Sequence, residues 1–545
     1  MTAVTAGGAD LVVFGRLATL AGEAGFGWTE AIAVVDGRVV ATGSAADVEA
    51  IIGPRTRRIV VGPDLAVIPG IMDAHLHLAD TALAAEGADL EHAASLEDGL
   101  AKIAAAAATV DADGWVEGGG WDPLRWGRWP TAADLRGVAA DRRVALWSHD
   151  HHALWVSERV LRELGVDAST PDPGGGSFRR EAGGSLTGVL QETAAQVVVG
   201  RLPRPDREHL ERAIATCART LVALGIVAVH DPGDLLADAA LEGGFGATVA
   251  LADRGAIPIR VHCSIREPAL PTAIARGLRT GAPLGADDGR ARMGWLKLFA
   301  DGALGSRTAH LLDPYEGTTD ARGVAVATAR HLAALAARAA GAGIVPQIHA
   351  IGDAALQSAL HALEPVAPLT GPMARVEHAQ FADPTDLPRM ARARIAASIQ
   401  PIHLRTDADG ARAAWGDRAE RRGFPLRSLA DAGITVAFGT DAPVEPADPW
   451  PGIALAVTRT APEWKDLRLF GPSEAIALAD AIRAATVGPA LVAGDPAGGR
   501  LIPGSPADFV AIPAAALREP VEPGGVLWSA RPAFVAIGGR IVYEG

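Results

Sequence analysis

Six residues of this chain have the types and placement to build a reaction centre: His75, His77, Lys297, His349, His378 and Asp441. The first two lie in Val67-Ile-Pro-Gly-Ile-Met-Asp-Ala-His-Leu-His. Residues two apart in an extended chain face the same side, so both imidazoles can share one metal. Lys297 sits in Trp295-Leu-Lys-Leu-Phe-Ala-Asp-Gly, and His349 in Pro346-Gln-Ile-His-Ala-Ile-Gly-Asp. His378 follows in Arg375-Val-Glu-His-Ala-Gln, and Asp441 in Ala437-Phe-Gly-Thr-Asp-Ala-Pro. Taken singly, each has an ordinary reading. A strand-end histidine is more often a hydrogen-bonded structural group, a buried lysine an ion-pair partner, and an aspartate before Ala-Pro a turn residue. Their conjunction is different: all of them terminate successive apolar runs, which is the rim where barrel enzymes place their sites.

The chemistry of the set is that of a divalent metal. Imidazole and carboxylate suit zinc and similar ions. A lysine ammonium cannot ligate a cation, but an amine kept neutral by burial can take up carbon dioxide as a carbamate, an anionic ligand able to bridge two metals. Hydroxide held between them is the expected nucleophile, since a bound metal lowers the pKa of water to about 7. Asp441 would ligate one metal, take the proton of the attacking water and return it to a leaving nitrogen.

The elements that must hold these residues can be read from the alternation of the chain. Apolar runs fall at 66–72, 144–148, 226–230, 258–263, 294–299, 344–349, 374–378, 395–399 and 434–439, with alanine-rich helical stretches such as 325–342 and 352–363 between them. Strand–helix alternation on this scale predicts a parallel α/β architecture, a (β/α)8 TIM-like barrel over residues 67–499. Nine runs are one too many for eight strands. The surplus is assigned to residues 80–205, an insertion after the first barrel strand, rich in tryptophan (Trp115, Trp121, Trp126, Trp129) and glycine. Short β-prone runs recur at both ends, at 10–14, 31–35 and 38–42 and again at 508–512, 533–537 and 540–543. Asp36-Gly37 and Gly538-Gly539 mark hairpin turns among them. They predict one small composite β-sandwich domain, made from residues 1–66 and 500–545.

The quoted segments, in this order, resemble the amidohydrolase superfamily and, within it, the branch that includes N-substituted formamide deformylase. The resemblance runs from Pro69 to His77 through Asp150 and His152, Gly188 to Glu192, Gly225 to Asp231, Lys297 to Ala309, the His349 and His378 segments and Thr440 to Val444, and ends in Ala485 to Ala490 and Pro503 to Asp508. It implies a hydrolase of carbon–nitrogen bonds other than peptide bonds, acting on an amide, an N-substituted formamide or a cyclic amide. It also implies that His75, His77, Lys297, His349, His378 and Asp441 are metal ligands and that Lys297 carries the carbamate. Two zinc ions per chain are expected, with manganese or iron as the other suitable metals. Two other readings stay open: an aminohydrolase (deaminase) of a cyclic amidine, and a catalytically silent binding protein on the same fold.

Further residues are candidates for substrate contact: Asp150 and His152 in the insertion, Glu192, Asp301 and Arg307 near the rim, and His403 after Gln400-Pro401. For the tryptophans of the insertion, packing is the favoured use over a pocket lining. His230-Asp231, ending another run, is expected to support the site from behind. The formal net charge of −14 over 545 residues argues against a nucleic-acid partner. A small molecule is the expected partner, with a homodimer left open. The two cysteines, Cys217 and Cys263, form no CxxC pair, which speaks against a thiolate zinc site or a disulfide framework. No leader-like or membrane-spanning apolar stretch is evident, which makes the cytoplasm the expected compartment.

Overall fold

Eight of the β-prone runs lie side by side, each parallel to the next: β1 (Ile71–Asp73), β2 (Ile226–Asp231), β3 (Arg260–Arg266), β4 (Ala291–Phe299), β5 (Pro346–Ala350), β6 (Arg375–His378), β7 (Ala396–Ile399) and β8 (Val436–Phe438). The computed structural model in which they are seen describes residues 8–545 except 92, 140, 150, 151, 203, 204, 235–237, 287 and 288. Helices follow or precede most strands and cover them, so the strands are buried on both faces and read as continuous apolar runs. Every residue of β2 is buried. The helix Ala329–Gly341 shows how the sequence supports this. Thr328 caps it by accepting from the His331 amide, and Leu332, Leu335, Ala336 and Ala339 form one apolar stripe against the strands.

The sheet curls until β8 returns to β1. The Ala74 amide donates to the Phe438 carbonyl at 2.8 Å, the Asp441 amide to the His75 carbonyl at 2.7 Å and the His77 amide to the Ala442 carbonyl at 2.9 Å. Gly439 makes this approach possible, because a Cβ there would lie 2.5 Å from the His75 nitrogen. The predicted TIM-like barrel is present.

Two strand expectations are corrected. The run 66–72 is not one strand. Leu65–Pro69 pairs antiparallel with Phe509–Pro513, and the barrel begins only at Ile71. Pro69-Gly70 marks the break: Pro69 has no N–H to donate, and a Cβ on Gly70 would lie 2.4 Å from the Val227 side chain. The run at 144–148 is the surplus one. It is the strand Arg143–Ser148 of a separate six-stranded sheet, ordered Gly176–Arg180, Leu186–Glu192, Ala153–Val156, Arg143–Ser148, Trp115–Trp121, Ala88–Asp89. Trp121, buried at the end of the strand Trp115–Trp121, packs edge-on against Trp129 and Trp155, so these rings serve packing.

Strands from both ends of the chain share one further eight-stranded sheet. Arg540–Glu544, Phe534–Ile537 and Phe509–Pro513 join Leu65–Pro69, which continues to Leu11–Ala18, Trp28–Val35 and Arg38–Gly43, with Arg57–Val60 beside Leu11–Ala18. Arg260 at the base of β3 ties this sheet to the barrel through two bonds to the Asp508 carboxylate, at 2.9 and 3.1 Å. No described helix is long and apolar enough to cross a membrane.

Candidate metal centre

The seam between β1 and β8 delivers the first three groups. Asp73 accepts from the Thr440 hydroxyl at 2.7 Å, the Thr440 amide at 3.1 Å and the His75 amide at 3.0 Å, pinning the two strand ends together. His75 Nδ1 meets the Glu377 carboxylate at 2.5 Å, and His77 Nδ1 donates to the Gly233 carbonyl at 3.1 Å. Both rings therefore turn Nε2 toward Asp441, whose Oδ1 lies 3.2 Å from His75 Nε2 and 3.5 Å from His77 Nε2. His378 and Asp441 both hold a positive φ, of 70° and 62°, a strained backbone of the kind that collects at functional sites.

The other groups come from β4, β5 and β6. Lys297 is fully enclosed, and in the ladder it stands between Arg266 on β3 and Gln347 on β5. Burial, reinforced by the Arg266 and Arg375 guanidinium groups, pushes its amine down to about 7, so a large neutral fraction exists at physiological pH. His349 Nε2 donates to the Gly302 carbonyl at 3.0 Å, leaving Nδ1 as its free donor atom. The His349 ring packs edge-on to His378 with centroids 4.4 Å apart. Ligand atoms of His75, His378 and Asp441 all lie within 4.8 Å of one another.

This donor set fits a divalent cation. A carbonyl can only accept, so His77 Nδ1 carries the proton. Burial holds that ring neutral, so its Nε2 presents a lone pair to the Asp441 carboxylate. Burial likewise drives His349 and His378 well below the ordinary histidine value. His378 Nδ1 is buried with no hydrogen-bond partner among the described residues. Asp441 is the opposite case. Burial alone would raise it, but the charge of His75 and the bond from His403 hold it well below the carboxylate range. The neutral imidazoles of His77, His349 and His378 beside an anionic carboxylate suit a metal ion.

The model of the amidohydrolase family matches residues 64–543 of the chain. The chain belongs to the amidohydrolase family. Among curated relatives, it is 29% identical over 488 residues to the YtcJ protein of Bacillus subtilis (strain 168), covering 89% of this chain and 90% of the relative. It is 26% identical over 496 residues to N-substituted formamide deformylase of Arthrobacter pascens, covering 85% and 86% of the two chains. In fold it is similar to an uncharacterized metal-dependent hydrolase from Pyrococcus horikoshii OT3, with a TM-score of 0.76 at 24% identity over 94% of this chain and 98% of that one.

Around the centre of this amidohydrolase, the remaining candidates separate. His403 is brought to it: its Nε2 lies 3.2 Å from Asp441 Oδ2. His152 and Glu192 meet each other at 3.0 Å, and Glu192 also accepts from the Thr308 hydroxyl at 3.1 Å, joining the insertion to the loop after β4. Asp301 is placed otherwise than a substrate contact requires. Its carboxylate accepts from the Ile351, Gly352 and His310 amides at 3.0, 2.9 and 2.8 Å and anchors that loop. Arg307 is exposed, with its guanidinium 5.9 Å from the Tyr315 ring centroid, and is not brought to the centre. Asp150 lies outside the described residues. His230 Nδ1 accepts from Arg375 at 3.0 Å, and Arg375 bonds Glu377 at 2.6 Å, a buried chain that ends on His75.

Sequence reasoning missed Glu377, Arg375 and Glu445. Arg375 and Glu377 lie two apart within a four-residue strand, a charged pair on one face of a buried element, which is the signal that could have found them. Glu445 lies beyond the Asp441 segment. It accepts from the Thr406 hydroxyl at 2.7 Å and lies 3.5 Å from His149 of the insertion.

Proposed function

We propose that this amidohydrolase is a metal-dependent enzyme that hydrolyses a C–N bond of an amide, an N-substituted formamide or a cyclic amide. Its two ions, zinc in the first instance, would be held by His75, His77, His349, His378 and Asp441, with Lys297 as a carbamate. The single observation that carries this reading is the Asp441 carboxylate oxygen opposed by imidazole nitrogens at 3.2 and 3.5 Å. The chemistry that a divalent ion supplies there is polarisation of the carbonyl and acidification of water. Asp441, kept anionic by its histidine neighbours, takes the proton of the attacking water and delivers it to the leaving nitrogen. His403, on the other oxygen of that carboxylate, fixes its direction. The formamide relative supports N-formyl amines as the first substrates to try.

Metal analysis of the purified chain and a screen of N-formyl and N-acyl amines test this. About two metal equivalents and release of the free amine are expected, with kcat falling roughly 10²–10⁴-fold in Asp441→Ala. Undiminished turnover in Asp441→Ala or His75→Ala overturns the assignment, as does a metal-free protein that added metal does not activate. Ammonia as the product from a cyclic amidine moves the enzyme to the deaminases.

A further inference from the structure

Arg266 ends β3 as the register partner of Lys297 on β4, so the two side chains leave the sheet on the same side. Its surroundings do not explain it. Nη2 makes one long bond, 3.3 Å, to the Gly233 carbonyl that His77 already uses. Nε is buried with no acceptor among the described residues. No described carboxylate lies within 4.0 Å of the guanidinium. Asp80, Asp234, Asp231 and Asp441 act on it from beyond ion-pair distance.

The guanidinium stacks on Phe299, 4.7 Å from the ring centroid, and the same ring lies 5.0 Å from Lys297 Nζ. All three residues line a cavity of about 530 Å³, together with Val326, Thr328 and Leu332. That volume is within the range of small-molecule sites. Glu267, the carboxylate among the described residues lining the cavity, is half-exposed and paired with His331 at 3.2 Å. A guanidinium without a carboxylate partner among the described residues, beside a candidate metal-ligating histidine and lining a cavity that also reaches Lys297, is suited to take an anion. Its planar fork matches a carboxylate.

We propose that Arg266 anchors a carboxylate of the substrate in this cavity, so that the amides cleaved here carry a carboxylate a few bonds from the scissile C–N bond. This rests on the hydrolase reading above, and two experiments keep the two apart. In the first, calorimetric titration of the metal-loaded enzyme compares phenylacetate with phenylacetamide, which differ in charge and little in shape. Wild type is expected to bind the acid at least about tenfold more tightly. Arg266→Gln should bring the two within about twofold, while Arg266→Lys, with charge but no fork, retains part of the preference. Equal affinities in wild type overturn the proposal, and that comparison needs no variant to fold. A preference that survives intact in Arg266→Gln, with metal content reduced, assigns Arg266 to Lys297 and also overturns it.

The second experiment compares hydrolysis of N-formylphenylalanine with that of N-formylphenethylamine, which lacks the carboxylate. The proposal expects a higher kcat/KM for the first, expressed mainly in KM. Turnover of both at equal kcat/KM overturns the anchor and leaves the hydrolase standing. Tight, Arg266-dependent binding of the acid with no turnover of either supports the anchor and rules out this formamide pair as substrates.

Discussion

At the scale of single residues, the centre depends on which nitrogen of each imidazole is free. His75 has its ring set by Glu377, and Glu377 is in turn held by Arg375, all of them buried. A carboxylate on the far nitrogen of a ligating histidine fixes its tautomer and raises its basicity. Glu377→Gln is therefore expected to weaken metal binding by about 10–100-fold, read by competition with a chromophoric chelator. An unchanged metal affinity would reduce Glu377 to a packing residue. That these residues gather at one end of the barrel was legible because each ends an apolar run, and HxH at a strand end fixes a shared face. Glu377 was not, because a glutamate in a four-residue strand looks like an edge residue until the barrel encloses it on both sides. Arg266 escaped for a similar reason. The apolar run that announces β3 stops at 263, while the backbone continues extended to Arg266.

At the scale of elements, the insertion is fastened to the barrel through a histidine between two acids. His149 Nδ1 lies 2.9 Å from Glu91 of the insertion, and its Nε2 lies 3.5 Å from Glu445 of the loop after β8. Burial works against its charge, but Glu445 and Glu91 outweigh it and raise the imidazole well above its ordinary 6.5. Asp407, on the helix Leu404–Trp415, also faces this cluster. A group protonated more firmly in the folded state stabilises the fold fully below its unfolded pKa. That contribution is lost as pH rises through the folded value. His149→Ala should then lower Tm by about 2 °C near pH 6, with the gap to wild type narrowing in alkaline buffer. Differential scanning fluorimetry across pH reads this, and a gap independent of pH would mean that His149 acts through packing alone. The insertion's position was legible from its composition and from the surplus ninth run. Its sheet order was not, because six short strands of mixed direction have no single periodicity to follow.

At the scale of the whole molecule, the tight interior makes a claim about the thiols. Cys217 is pushed up to about 12 by burial on the helix Arg207–Ala223, and Cys263, inside β3, lies well above its ordinary value for the same first reason. The thiolate is the reacting form, so at pH 8 the native protein should react with Ellman's reagent about 10³-fold more slowly than the unfolded chain. Rapid release of one equivalent of thionitrobenzoate from the native protein would show the packing around the helix to be wrong. The barrel was readable at this scale because strand–helix alternation over hundreds of residues has few other solutions. The split of the run 66–72 between two sheets was not, since both halves are apolar and only the Pro-Gly step separates them.

The seam where β8 returns to β1 has a consequence in time. The carboxylate and the first two imidazoles of the centre lie on its two sides, with Asp73 and Thr440 clasping it. A ribosome must therefore deliver the chain past Asp441 before any cation can find its full set of donors. Until then the earlier histidines wait on strands that have no closing neighbour. On the proposed reading, metal uptake would report that synthesis has passed the last barrel strand and that the ring has shut, and a product cut short before β8 would be left without a centre.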